Sequence, residues 1–176
     1  RITGYVHNGA FSPKTHKNYF IIQFDKPFVS YGTWENRKNT IQKNNLSREG
    51  EGIGAYVQFA KGSKVQAKVS TSYISPEQAE VTMTRELGKH SSVEVTKQAA
   101  VWNQLLNRVL VEGGTEEDMK TFYSCMFRAN LFSHKFYEEK EDGSPYYYSP
   151  YDEKIHDGYM FTDNGFWDTF RSQFPL

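Results

Sequence analysis

The first third of the chain alternates apolar and polar positions with the two-residue period of β-strands. Val65, Ala67 and Val69, for example, fall on one face of such a strand, because successive side chains point to opposite faces. The polar, glycine-containing stretch 36–52 is predicted to be a loop. Strands connected by turns predict part of a β-sandwich. The four predicted strands are 18–24, 28–35, 53–60 and 64–74.

From residue 75 onward the apolar period lengthens to that of an α-helix. Ser75 and Pro76 occupy the N-cap and N1 positions of a predicted helix over 75–87. A second helix is predicted over 93–111, and Thr115 is predicted to cap a third. The third helix carries an apolar stripe at helical spacing, which predicts a core-facing surface rather than a cofactor site. The stripe consists of Met119, Phe122, Tyr123, Met126 and Phe127.

Composition narrows the classes of protein that fit this pattern. The 176 residues include 21 Lys plus Arg and 21 Asp plus Glu, without a basic stripe, which argues against nucleic acid as a partner. No apolar stretch approaches the roughly 18 residues that span a bilayer. Cys125 is the single cysteine, so an internal disulfide is excluded. Its place among apolar residues at helical spacing predicts a buried structural thiol.

The last residues, FTDNGFWDTFRSQFPL, hold the strongest candidate chemistry. In a sugar site, the indole of Trp167 can stack on the C–H face of a pyranose, and the carboxylate of Asp168 can accept from two vicinal hydroxyls. Arg171 adds fixed donors, and Asp163 lies in the preceding turn. The same spacing also fits a structural role, in which Trp167 is core, Asp168 and Arg171 form a surface pair, and Asp163 or Asn164 caps a helix.

Two further features are open to the same pair of interpretations. The segment 142–161 is irregular and rich in tyrosine, and its rings either line a carbohydrate cleft or fill gaps between helices. His134 is either a polar site residue or a partly buried histidine with a hydrogen-bond partner. The histidines of the chain show no metal-ligand spacing.

Several motifs in the same order resemble those of glycoside hydrolase family 92, the calcium-dependent exo-α-mannosidases. The closing GFWDTFRSQFPL is similar to a signature of that family, and three longer stretches resemble its sandwich strands, its helical linker and its first barrel helix. One departure is local: YSCMFRANLF replaces a shorter family pattern, so that His134 comes later than expected. The longer stretches are GYVHNGAFSPKTHKNYFIIQFDKPF, GAYVQFAKGSKVQAKVSTSYISPEQA and WNQLLNRVLVEGGTEEDMKTFYSCMFRANLFS.

The resemblance implies a mixed β then α fold and an internal piece of a larger exported enzyme. Residues 1–74 would be the C-terminal part of an N-terminal β-sandwich, 75–112 a helical linker, and 113–176 the truncated start of an (α/α)6 catalytic barrel. The rest of its own chain would complete both domains. The protein would be periplasmic or at the cell surface of a Bacteroides-like bacterium, without a membrane span.

The resemblance also implies a reaction, the removal of terminal α-linked mannose with inversion. The expected linkage is α-1,2. The substrate would be a mannose-containing glycan, either an N-glycan or mannan. Trp167, Asp168, Arg171, Asp163 and, as the weakest candidate, His134 would bind the sugar. No catalytic residue and no metal ligand is expected among these 176 residues, since the acid, the base and the calcium ligands of the family follow the closing motif.

Two other classes of protein fit the same residues. A non-catalytic carbohydrate-binding module would combine a sandwich with aromatic loops. Another (α/α)6 glycosidase or phosphorylase, of the trehalase-like or maltose phosphorylase-like type, would also place a sandwich before a helical barrel.

Overall fold

The computed structural model describes residues 1–7, 16–37, 40–88, 97–131, 133–162, 165–171 and 173–174. At positions 166 and 168 the description covers the backbone and not the side chain. The chain divides into two compact units, Arg1–Met83 and Thr84–Leu176. None of the described helices is long and apolar enough to cross a membrane.

Two three-stranded antiparallel sheets build the first unit, in the orders β1-β2-β6 and β4-β3-β5. All four predicted strands are present as β2, β3, β5 and β6. Strand β4 lies inside the predicted loop 36–52, so that prediction is wrong in part. Its four residues are too few for alternation to reveal, and it forms by pairing with β3. The strands are β1 Ile2–His7, β2 Lys17–Phe24, β3 Ser30–Glu35, β4 Thr40–Lys43, β5 Ile53–Gln58 and β6 Ala67–Ser72.

The core of this unit lies between the sheet β1-β2-β6 and a helix that packs on it. Helix α1, Pro76–Thr82, lies against β2 and β6 and buries Ala79 completely. Ile21 and Ser70 pair across the strands on the covered face, and both are buried. Val69 is 55% exposed, since it points to the opposite face of β6. The helix therefore covers the more polar face of β6, not the face that carries Val65, Ala67 and Val69.

The predicted start of α1 is confirmed atom by atom. The Ser75 hydroxyl accepts a hydrogen bond from the backbone N–H of Gln78 at 3.1 Å, and Pro76 is the first helical residue. Both features satisfy or remove N–H groups that a helix start leaves without partners. The helix continues as a π-helical turn, Met83–Leu87, which ends at Gly88.

Two longer helices lie in the second unit, α2 Lys97–Leu106 and α3 Glu116–Ala129. Trp102 of α2 packs on Phe127 of α3 with ring centroids 4.5 Å apart, and Met126 is buried. The core-facing stripe is thus confirmed. The prediction of a buried Cys125 is wrong because the residue lies beside this stripe and is exposed.

A reciprocal capping box fixes the first turn of α3. The Thr115 hydroxyl accepts from the Asp118 N–H at 3.2 Å, and the Asp118 carboxylate accepts from the Thr115 N–H at 2.9 Å. The hydrogen bonds that the Asp118 carboxylate accepts from the Thr115 N–H and, at 2.7 Å, from the Thr115 hydroxyl lower the pKa of Asp118, so the carboxylate keeps its charge in mild acid.

Replacing Thr115 by alanine should destabilise this helix start by about 1 kcal/mol. We expect amide hydrogen exchange at positions 116–119 to become roughly five-fold faster. The matched variant Thr115→Ser keeps the hydroxyl and should exchange like the wild type. Equal exchange rates in Thr115→Ala and the wild type would show that the cap contributes nothing.

Residues 134–162 form small antiparallel sheets, which the irregular pattern of this segment did not predict. One sheet has the order β10-β9-β8, and a two-stranded ribbon pairs β11 with β7. The fold class, β-strands followed by a helical segment, is confirmed, with these strands added within the second unit. The remaining elements are β7 His134–Lys135, β8 Glu138–Glu139, β9 Pro145–Ser149, β10 Lys154–Asp157, β11 Phe161–Thr162 and α4 Phe166–Thr169.

Candidate functional site

The closing motif folds as a single helical turn, α4, whose N-cap is Gly165. The turn is held by the Thr169 hydroxyl, which donates to the carbonyl of Gly165 at 2.7 Å. The predicted cap by Asp163 or Asn164 is wrong, since Gly165 takes that position without a side-chain hydrogen bond. Helix α4 is also shorter than a helix reaching toward Pro175, because it ends at Thr169.

Trp167 projects from this turn with 88% of its surface exposed. A core role for its indole within the described part of the chain is therefore excluded. Tryptophan is usually well buried, so an indole exposed on a short helical turn is open either to a ligand or to another part of the protein. The geometry leaves the ring face accessible to a stacking partner such as a pyranose.

Arg171 lies one turn further, with its guanidinium carbon 4.9 Å from the centroid of the Phe170 ring. This contact orients a cation on the short segment that also carries Trp167. The side chain of Asp168 and the whole of Asp163 lie outside the described residues. Their roles, including the pairing of Asp168 with Arg171, stay predictions.

The ribbon β7–β11 brings His134 to the start of the closing motif. His134 is the register partner of Thr162, although 28 residues separate them in sequence. Tyr137 stacks edge-on against Tyr159 and Phe161, with centroids 4.8 and 5.7 Å apart, and so fixes the ribbon. The exposed His134 therefore neighbours the segment that leads into α4.

A second anchor lies at the other end of the closing motif. The side-chain amide of Gln173 donates to the carbonyl of Ala129 at 2.7 Å. Ala129 is the last residue of α3, so this bond satisfies one of the carbonyls that a helix end leaves open. The segment with Trp167 and Arg171 thus follows the ribbon β7–β11 in sequence, and the hydrogen bond of Gln173 holds its other end to α3.

The tyrosine-rich hairpin β9–β10 carries a polar pair that the sequence analysis missed. The Asp152 carboxylate lies 2.8 Å from Nε2 of His156, and the His156 ring packs near Tyr147. Hydrogen bonds from Ser149 and then from His156 lower the pKa of Asp152. Burial raises the pKa of Tyr146 on the same hairpin. The strand register brings His156 opposite Tyr147. The grouping of Asp152, His156 and Tyr147 is therefore visible only in the structure.

The segment around α4 and the ribbon before it carry side chains of the kinds that can bind a sugar. Within the ranges that the structure covers, no three His, Cys, Asp or Glu side chains are grouped to hold a metal ion. The segment around α4 carries an exposed indole and a guanidinium, and the ribbon before it carries the imidazole of His134. Such a set can stack on a sugar ring and donate hydrogen bonds to its hydroxyls.

Sequence profiles of two domains match consecutive parts of the chain. The glycosyl hydrolase family 92 N-terminal domain matches residues 1–72, and the glycosyl hydrolase family 92 catalytic domain matches residues 78–176. A search of curated proteins found no match.

Solved structures of mannosidases resemble the chain over nearly its whole length. The family GH92 inverting mannosidase BT2199 from Bacteroides thetaiotaomicron VPI-5482 is 41% identical, with a TM-score of 0.88, over 98% of this chain and 24% of that one. The family GH92 α-mannosidase BT3965 from Bacteroides thetaiotaomicron is 22% identical, with a TM-score of 0.70, over 91% of this chain and 22% of that one. BT3965 has also been solved with mannoimidazole.

The chain thus spans about a quarter of the length of the mannosidases that it resembles. Its two matched domains follow each other in the order of strands and helices that the structure shows. By these matches, the chain belongs to glycosyl hydrolase family 92 and contains parts of the N-terminal and catalytic domains of that family.

Proposed function

We propose that the full-length protein containing this chain is an exo-acting α-mannosidase that removes terminal α-1,2-linked mannose with inversion. Its substrate is a mannose-containing glycan, either an N-glycan or a mannan. The single observation that carries this proposal is the 41% identity, over 98% of the chain, to a structure described as an inverting mannosidase. The relatives come from Bacteroides, which supports export to the periplasm or cell surface.

In this proposal the closing motif holds the terminal mannose. Trp167 stacks on the ring, because its indole is open on a turn that is anchored on both sides. Arg171 donates to ring hydroxyls, and Asp168 and Asp163 accept from them. His134 contributes from the neighbouring ribbon. Each of these residues binds and orients the sugar, and none is assigned a proton transfer.

The proton transfers of the proposed reaction belong to other parts of the protein. Inversion requires one carboxylic acid to protonate the leaving oxygen and one carboxylate to activate a water, with the two groups roughly 6.5–9.5 Å apart. We place both outside the present chain, together with the ligands of a calcium ion. Within the described ranges no three His, Cys, Asp or Glu side chains are grouped to hold such an ion.

Mannose release from α-1,2-mannobiose by the full-length protein tests this proposal. We expect release to fall by at least ten-fold in EDTA and to return with added calcium. The configuration of the first-formed mannose, followed by NMR, distinguishes inversion from retention. Release that is unaffected by EDTA would contradict the calcium requirement. Binding without release from any α-mannoside would favour a non-catalytic carbohydrate-binding module.

A further inference from the structure

The sheet β4-β3-β5 in the first unit presents two aromatic rings seated on glycines. Gly32 is the register partner of Tyr56, and Trp34 is the partner of Gly54, so all four residues share one face. A Cβ atom on Gly54 would come within 2.3 Å of the Trp34 indole, and one on Gly32 within 2.7 Å of the Tyr56 hydroxyl. The missing side chains let each ring lie close over the opposing strand.

A concavity of about 560 Å³ lies against this face, and its lining also includes Tyr31, which alternates to the other face of β3. This volume falls in the range of roughly 300–1,000 Å³ that is common for small-molecule sites. Tyr56 supplies its ring, and Ile41, which is 69% exposed, adds apolar surface at the rim. The polar lining comes from Ser30, Lys43, Asn44 and Gln58.

The polar groups of the concavity are mostly hydrogen-bond donors. The Ser30 hydroxyl donates to the amide oxygen of Gln58, which leaves the NH2 group of Gln58 available to a ligand. Lys43 has no acidic partner among the residues that the structure describes. No carboxylate lines the concavity, so it does not suit a metal ion, and a single cation is too little for nucleic acid.

Part of the opposite face of the sheet is covered by the segment that follows β4. Asn45 donates to the Thr33 hydroxyl at 2.9 Å, and Thr33 is only 4% exposed. Arg48 donates to the Glu35 carboxylate at 3.1 Å, with both side chains largely buried. Within the described part of the first unit, the opposite face is therefore covered at Thr33 and Glu35, while Gln42 and Ala55 on it are exposed.

We propose that the face with Tyr56 binds a pyranose ring of a neutral polysaccharide, at a site in the other unit from Trp167. The ring of Tyr56 stacks on the C–H face of the sugar, while its hydroxyl stays available for a hydrogen bond. The amide of Gln58 and the ammonium of Lys43 donate to its hydroxyls. The site holds a part of the glycan that is not being cleaved. The choice of a mannan as the probe rests on the proposed function.

Affinity electrophoresis of the full-length protein, in gels with and without yeast α-mannan, tests the proposal. Tyr56→Ala should weaken the retardation at least five-fold, and Gln58→Ala and Lys43→Ala about two-fold each. Tyr5→Ala replaces a tyrosine that is 44% exposed on strand β1 of the same unit, and Gln42→Ala replaces a glutamine on the opposite face of the same sheet. Both control variants should migrate like the wild type.

Two outcomes would overturn the proposal. One is a wild-type protein that mannan does not retard. The other is unchanged retardation in Gln58→Ala and Lys43→Ala, which would show that this face does not bind the polysaccharide. These two exposed positions decide the question even where Tyr56→Ala fails to fold. Mannose release by the wild type is measured separately, so loss of either activity without the other identifies which proposal has failed.

Discussion

Replacement of Trp167 by alanine in the full-length protein is expected to lower kcat/KM for an α-mannoside about 100-fold. The indole is 88% exposed in this chain, so its removal costs the described residues little packing. Covering roughly 100 Å² of ring by a sugar is worth about 2.5 kcal/mol at 25 cal/mol per Å². A loss of that size corresponds to about 100-fold in rate.

The aromatic variant Trp167→Phe should recover part of the lost activity, because a smaller ring still stacks. Leu110→Ala is the matched control, since this large apolar side chain is 77% exposed in the same unit. It should leave kcat/KM unchanged. If Trp167→Ala instead lowers the thermal midpoint and leaves kcat/KM intact, the closing motif is a packing element and the proposed sugar contact is wrong.

The helices that local sequence signals specify were predictable from the sequence. Helix α1 was predictable because Ser75 and Pro76 are local signals whose hydrogen bonding depends on a few neighbouring residues. The apolar stripe of α3 was predictable for the same reason, and Trp102 packs on it. The prediction of a buried Cys125 was wrong because proximity in sequence to apolar residues does not place a side chain on the covered face of a helix.

Short strands were not predictable, because their stability comes from pairing with distant residues. Strand β4 has four exposed residues and no apolar alternation, and it exists through its register with β3. The ribbon that pairs His134 with Thr162 has two residues in each strand. Sequence spacing gives no information about such pairing, so it singled out His134 without indicating its neighbour.

In the candidate site, too, residues close in sequence were predictable, whereas groupings that depend on strand pairing were not. Trp167 and Arg171 were identified from residue type and close spacing, and the structure places both on the surface of one short segment. The roles of Asp163 and Asp168 stay predictions. The pair Asp152 and His156 was missed because its meaning depends on the turn between β9 and β10. The concavity beside Tyr56 was missed because residues from three paired strands and the turn after β4 line it.

Replacement of Gly32 by alanine is expected to destabilise the N-terminal domain by about 3 kcal/mol, at the upper end of the usual cost of overpacking. The new Cβ would lie 2.3 Å from the carbonyl oxygen of Gln42 and 2.8 Å from a ring carbon of Tyr56. The carbonyl belongs to strand β4 and cannot rotate away as a side chain can, so β4 must separate from β3. For a domain of 150–250 residues, this predicts a fall of roughly 6–12 °C in the thermal midpoint.

Gly62→Ala is the control that separates steric conflict from backbone strain. Gly62 has φ +81° and no atom within 4 Å of an added Cβ, so its cost is the strain alone, roughly 1–2 kcal/mol. A shift in Gly32→Ala no larger than that in Gly62→Ala would contradict the steric argument. Because Gly32 also seats the Tyr56 ring, a folded Gly32→Ala protein should be retarded less by mannan, whereas Gly62→Ala should not. The two variants together therefore test whether the glycine that permits this sheet also shapes the face with Tyr56.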